Sequence, residues 1–492
     1  MELKYFNNAS GVSSRPSIRF ALQITQDKKS TNRRIIPSVL RSILMRSKTL
    51  GMIRRGSLVL LLLFLLSFQN LFLSDVNLGD WTSVTTSDAV TFDGGNNFIT
   101  GFVQMCDGFT LQDEDTSCTY ASSFPVIGDV FLNGGKLYLG SDLLLFTVSQ
   151  FTSAGTVYGQ GHTIYLNSAL TSIGCVSYPM MFCNTNLLVN SDLTINGSIG
   201  FSGNCVFNGN GRRISLSSLG KIYVDGDSSL LLKNITITGL SGNKIYCTES
   251  FGEVVLDSAD LILDGNYGFT LGTIGVRGDL KIKGVGKKFS YQTAQTSTVC
   301  SNANLILDNG ITFSYDPIYN DSFFEGEDDL WPLFAKDFLY LEDSTAKITL
   351  KNATLHVTET GMRLQAGHLM VKESSYVSSE VSSFSNGSQG LVFGTGGSSI
   401  YDCKLEILPN ICLEVSSGAL SYKNVLSSSL SMWDCSKISM ASGTKLNIQR
   451  DMNIGNGIIE FKGNNIFARA TGYGVSGSLS FLGSVGYASC VP

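Results

Sequence analysis

The sequence predicts an all-β chain, a parallel β-helix (β-solenoid) wound from coils of about 25 residues. Three observations predict it. After residue 75 no stretch sustains a helical period. Short apolar runs recur instead, broken by Gly, Asn, Asp and Ser, which is the pattern of strands joined by tight turns. Those runs also belong to cassettes that repeat at offsets of 50 and 75 residues, multiples of one coil.

The first element stands outside the fold. Residues 1–56 hold 12 Lys or Arg and two acids, Glu2 and Asp27. Residues 1–51 read as an overlong gene model with Met45 or Met52 as the true start, a basic cytoplasmic tail or a transit peptide. From Met52 the chain carries Arg54 and Arg55, a pure apolar run from Leu58 to Leu66, and a polar break at Gln69 and Asn70. This is the layout of a signal peptide over 52–74. An uncleaved N-terminal anchor is the alternative, and 52–74 is the one expected membrane contact. The expected location is secreted or on the outer cell surface.

The body, residues 75–492, holds 23 basic and 38 acidic residues, a net charge of −15. Nucleic acid needs clustered positive charge, so none is expected as a partner. An anionic polysaccharide is a poor electrostatic match to the body as a whole as well, unless calcium bridges the two. Hydrophobic residues make up 43% of the chain and charged ones 15%, which excludes disorder. Only 8 prolines occur against 52 glycines, as suits a backbone whose N–H groups are taken by ladders.

The cassettes define the coils. Val157–Leu166 matches Phe207–Leu216, with Gly159, Gly161, Ile164 and Leu166 over Gly209, Gly211, Ile214 and Leu216. Ile282–Phe289 repeats the cassette. A second pair is Ser229–Ile237 with Ala346–Leu355, each with Lys-Asn between two apolar strands. A third aligns Ala259–Gly265 with Ala303–Asn309, placing Asp264 over Asp308. One coil cannot bury its apolar face alone, whereas stacked coils share a continuous core. Asn tolerates left-handed turns, so Asn234 and Asn352 are expected as turn residues rather than glycan acceptors. A β-propeller, whose repeats run about 40–50 residues, is the rival architecture. The sequence has only three Trp and no Trp-Asp or Gly-Gly blade signature at fixed spacing.

The Leu-Lys-Asn-x-Thr pattern resembles the coils of the pectin-lyase-like, right-handed parallel β-helix superfamily. It is similar in feel to passenger regions of bacterial autotransporters and polymorphic surface proteins. The resemblance covers about residues 85–480.

One stretch breaks the rhythm. Residues 313–343 hold nine acids, one base (Lys336), two prolines and dense aromatics. Solenoids carry binding functions on such excursions. Tyr319, Phe323, Phe324, Asp328, Asp329 and Trp331 are the candidate ligand contacts, with rings for sugar faces and acids for hydroxyls. A cap folded over a coil is the plainer reading of the same residues.

Eleven cysteines follow the leader, none in a CxxC pair, so zinc is not expected. Export would favour disulfides, with Cys106–Cys118, Cys175–Cys183 and Cys403–Cys412 as nearest neighbours and Cys490 as the odd thiol. No Gly-x-Ser-x-Gly elbow occurs, and the Gly-x-Gly cassettes lack the third Gly and a helix. His162 is followed by Thr rather than Gly, and its repeat equivalent is Arg212, so it reads as an incidental turn residue. His356 and His368 have no ligand at close sequence spacing. No catalytic residue, cofactor or metal is expected. The expected function is an exported structural or adhesive protein, with a carbohydrate or host-surface molecule as its ligand. A polysaccharide lyase or glycoside hydrolase on the same scaffold is the alternative.

Overall fold

A computed structural model describes residues 2–4, 21–23, 84–86, 89–101, 103–105, 107–146, 150–167, 172–318, 337–358, 361–380, 390–395, 399–483 and 485–490. Among them there is no α-helix, and parallel strands stack as a β-solenoid with coils of roughly 23 residues. The leader 52–74 lies outside the described residues. The contacts divide the chain into two compact units, Met1–Leu193 and Thr194–Pro492.

In the first unit each coil has three short strands. One coil is Lys136–Leu139, Leu143–Phe146 and Gln150–Thr152, and the next opens with Gly155–Tyr158. Lys136 pairs with Ser117 in the coil before and with Thr156 in the coil after. Those steps are shorter than the expected 25 because the turns hold only a few residues. Alternation along each strand sends Leu137 and Leu139 inward at 0% exposure and leaves Tyr138 outside.

The second unit opens with longer strands that turn a corner without breaking. Asn204–Leu216 pairs with Ser229–Gly242, and that strand pairs with Glu253–Phe269. The corner falls on Asn210, Asn234 and Ser258, at φ of 50°, 46° and 57°. Asn234 and Asn352 (φ 49°) are thus turn residues, as the cassettes imply. The left-handed backbone disfavours most L side chains, and Asn is among the few that enter it readily. The matched cassettes share this geometry, with Gln160–Gly161 at φ 52° and 88° and Asn210–Gly211 at 50° and 77°.

Stacking turns repetition into core. Phe289 and Phe313 stack at 5.4 Å, and Tyr291 and Tyr315 at 5.5 Å, all four buried. The Tyr291 hydroxyl donates to the Phe338 carbonyl at 2.6 Å, and the Phe338 N–H donates to the Tyr315 hydroxyl at 3.0 Å. Burial pushes both phenols well above their ordinary range.

Three expectations need correction. The excursion is narrower than 313–343. Thr312–Tyr315 and Leu339–Leu341 are rungs of the ladder, and Tyr315 and Phe338 belong to the core. Apolar alternation was masked there by the acids between. Second, Asp264 and Asp308 are not stacked equivalents. Ala259 pairs with Leu280 and Leu280 with Leu305, so Asp308 lies over Lys283 and Lys351. The sequence alignment of Ala259 with Ala303 is two residues out of the ladder register.

Third, the expected Cys175–Cys183 and Cys403–Cys412 disulfides do not form, and Cys106 lies outside the described residues. Cys118, Cys175, Cys183, Cys403 and Cys412 are all thiols. Cys118 and Cys403 point into the core at 0% exposure, whereas Cys412, the expected partner of Cys403, is half-buried. Burial pushes the Cys118 thiol up, and that of Cys403 to about 12, so neither is a reactive thiolate.

Candidate functional site

The six sequence-predicted contacts, Tyr319, Phe323, Phe324, Asp328, Asp329 and Trp331, all lie outside the described residues. The structure places the two roots of that segment. It leaves the coil after Ile318 and rejoins it at Asp337. Asp337 is gripped by Arg363 through a two-pronged contact, Nε to Oδ1 at 2.7 Å and Nη2 to Oδ2. Both groups are half-buried, and the planar fork fixes direction as well as distance.

A shallow surface groove lies elsewhere among the described residues. The left-handed corners of the second unit form a groove of about 430 Å³, lined by Asn210, Gly211, Asn234, Ile235, Thr236, Ser258 and Asp260. Each coil adds one polar group at the same lateral position, first an amide, then an amide, then a hydroxyl. Gly211 takes a positive φ, and a Cβ there would meet nothing within 4 Å, so this end of the groove is open. Gly209 is required for a different reason. A Cβ on it would come within 2.8 Å of Ile235, so the coils close up behind the groove only without a side chain there.

Ile235 is 2% exposed and forms an apolar floor. Asp260 supplies the carboxylate. Lys283 holds it at 2.7 Å and Lys281 approaches at 3.7 Å. Nearby, Ser258 donates to Asp257 at 3.0 Å and Lys233 pairs with Asp257 at 3.6 Å. The groove therefore offers amides, hydroxyls and one oriented carboxylate over an apolar strip. It suits a hydroxyl-rich ligand laid along the coil axis. Sequence reasoning found Asn234 and Asp260 only as parts of repeats, because the groove exists only once three coils are stacked.

The histidines divide. His162 sits in an exposed turn with Nδ1 3.5 Å from Asp142. His356 is richer than its sequence neighbourhood implied. Its Nδ1 lies 2.8 Å from the Ser378 hydroxyl and its Nε2 3.2 Å from the Glu380 carboxylate. Both partners are more than 20 residues away in sequence, brought in by the next coil. Glu380 and Ser379 already donate their backbone N–H groups to Val357 and Ser417. Those two N–H groups are already committed, and the trio ties adjacent coils together.

Among the described residues no group of three His, Cys, Asp or Glu side chains could hold a metal ion, and no helix is long and apolar enough to cross a membrane. No protein-family model, curated protein or solved structure matches the chain.

Proposed function

We propose that the chain is an exported, non-catalytic β-helix protein of the cell surface or extracellular space that adheres to carbohydrate. In this reading residues 52–74 direct export, and the body resembles a pectin-lyase-like, autotransporter-passenger scaffold with right-handed coils. The observation that carries the reading is the groove along Asn210, Asn234 and Ser258, a run of neutral donors and acceptors repeated at the coil spacing. A ligand matched to it repeats its hydroxyls along a straight path, as a neutral polysaccharide does. Extended surfaces of this kind are the usual binding faces of solenoids.

The alternative is a carbohydrate-active enzyme, and one feature favours it: a carboxylate, Asp260, stands with two lysines at one edge of the groove. Glycoside hydrolysis works through a pair of carboxyl groups. The groove lining brings only Asp260.

The test has two arms. Expression from Met52 in the native host, with fractionation and N-terminal sequencing, should give an exported chain beginning near residue 75. Cytoplasmic retention overturns export. Affinity electrophoresis through neutral glucans and mannans should retard the chain, and Asn234→Gly, which keeps the turn and removes the amide, should weaken the retardation. Release of reducing ends from those polymers would favour the enzyme instead.

A further inference from the structure

A second surface of the Thr194–Pro492 unit carries chemistry that the groove does not explain. It lies on the face built from strands Lys347–Lys351, Gly367–Val371, Cys403–Ile407 and Leu430–Met432. The ladder sets Lys347, His368 and Lys404 in one outward column, because Lys347 pairs with His368 and His368 with Lys404. Adjacent coils stand about 4.8 Å apart, so like groups recur at that step. The next column carries the buried Thr349, then Met370, Glu406 and Ser431.

Trp433 closes the surface. It is the only tryptophan among the described residues, and it is 49% exposed. It is also held in place, since its indole N–H donates to the Glu406 carboxylate at 3.1 Å. Lys404 approaches the same carboxylate at 3.8 Å. Glu406 therefore joins the ring and the lysine into one cluster. A large ring fixed at the surface is a ready platform for the C–H face of a sugar.

The Lys347–His368–Lys404 column itself carries no acid, with Glu406 and Asp402 standing beside it. Lys347 and Lys372 form no ion pair among the described residues, and Lys404 shares Glu406 with the indole. Burial, with Lys404 and Lys347 beside it, holds the His368 imidazole below its ordinary range, against smaller opposite pulls from Glu406 and Asp402. The ladder sets this ring between the Lys347 and Lys404 ammonium groups. No arginine belongs to the cluster. Lysines act as compact point charges, whereas planar carboxylates are gripped best by arginine forks.

We propose that Trp433, Lys347, His368 and Lys404 form a binding site for a sulfated polysaccharide. The indole takes the ring face of one sugar, and the lysine column takes sulfate oxygens. The site does not depend on the groove.

The experiment is affinity electrophoresis and calorimetry on the full chain, with dextran sulfate, dextran and polygalacturonate as probes. Dextran sulfate should bind and dextran should not. Trp433→Ala and the pair Lys347→Gln, Lys404→Gln should each weaken dextran sulfate binding roughly tenfold or more. The double variant should also flatten the salt dependence. Circular dichroism and thermal melting establish that the variants are folded, and Trp433→Phe should restore part of the binding. Asn234→Gly should leave dextran sulfate binding unchanged, which separates failure here from failure of the groove. Undiminished binding by Trp433→Ala overturns the site, and equal affinity for polygalacturonate overturns the assignment to sulfate.

Discussion

Asn234 shows how much one residue carries. Its φ of 46° lets two strands meet at a corner, and its amide lines the groove. Placing a residue with an ordinary Cβ in left-handed backbone costs about 1–2 kcal/mol, so Asn234→Ala should lose about 1 kcal/mol in urea unfolding while Asn234→Gly stays within about 0.5 kcal/mol of wild type. Equal losses for the two variants would mean that the amide, and not the turn, stabilises the corner. The sequence showed this residue type at this place, because Lys-Asn recurs between apolar strands at Asn234 and Asn352. It did not show His356, Ser378 and Glu380 as a group. Hydrogen bonds across coils join residues more than 20 positions apart, and no local motif records them.

At the scale of elements, the rungs were legible and their edges were not. Period-two alternation marked Lys136–Leu139 and Lys221–Val224 as strands. It misled at the acidic excursion, where Thr312–Tyr315 and Leu339–Leu341 are ordinary rungs beside an unusual segment. The return rung is anchored by Arg363 on Asp337. Removing the guanidinium leaves a half-buried carboxylate without its partner, which loosens the rung it anchors. Arg363→Ala should therefore speed amide exchange of Leu339–Leu341 roughly tenfold, and Arg363→Lys, which keeps the charge but loses the fork, should fall between. Exchange unchanged in both would remove the clamp from the account. Register was the other blind spot, since Ala259 and Ala303 look alike but occupy different ladder positions.

At the scale of the whole molecule, a solenoid is held by neighbour contacts. Phe313 stacks on Phe289 and its strand pairs with Thr354–Val357. Phe313→Ala should cost about 3–5 kcal/mol locally, the usual range for deleting a buried ring. Hydrogen exchange should rise in Lys288–Tyr291, Thr312–Tyr315 and Thr354–Val357 while Lys136–Leu139 in the first unit stays protected. Uniform loss of protection through both units would instead indicate a single cooperative core. What the sequence determined by itself is the all-β class, the repeat near one coil in length, the inward-facing residues and the Asn turns. Each follows from local alternation and backbone preference, which act over a few residues. The tertiary structure alone decided the register, the reduced cysteines, the groove and the cluster around Trp433. Those depend on which residue lies one coil above another, and a change of two residues in any turn moves every group in the column.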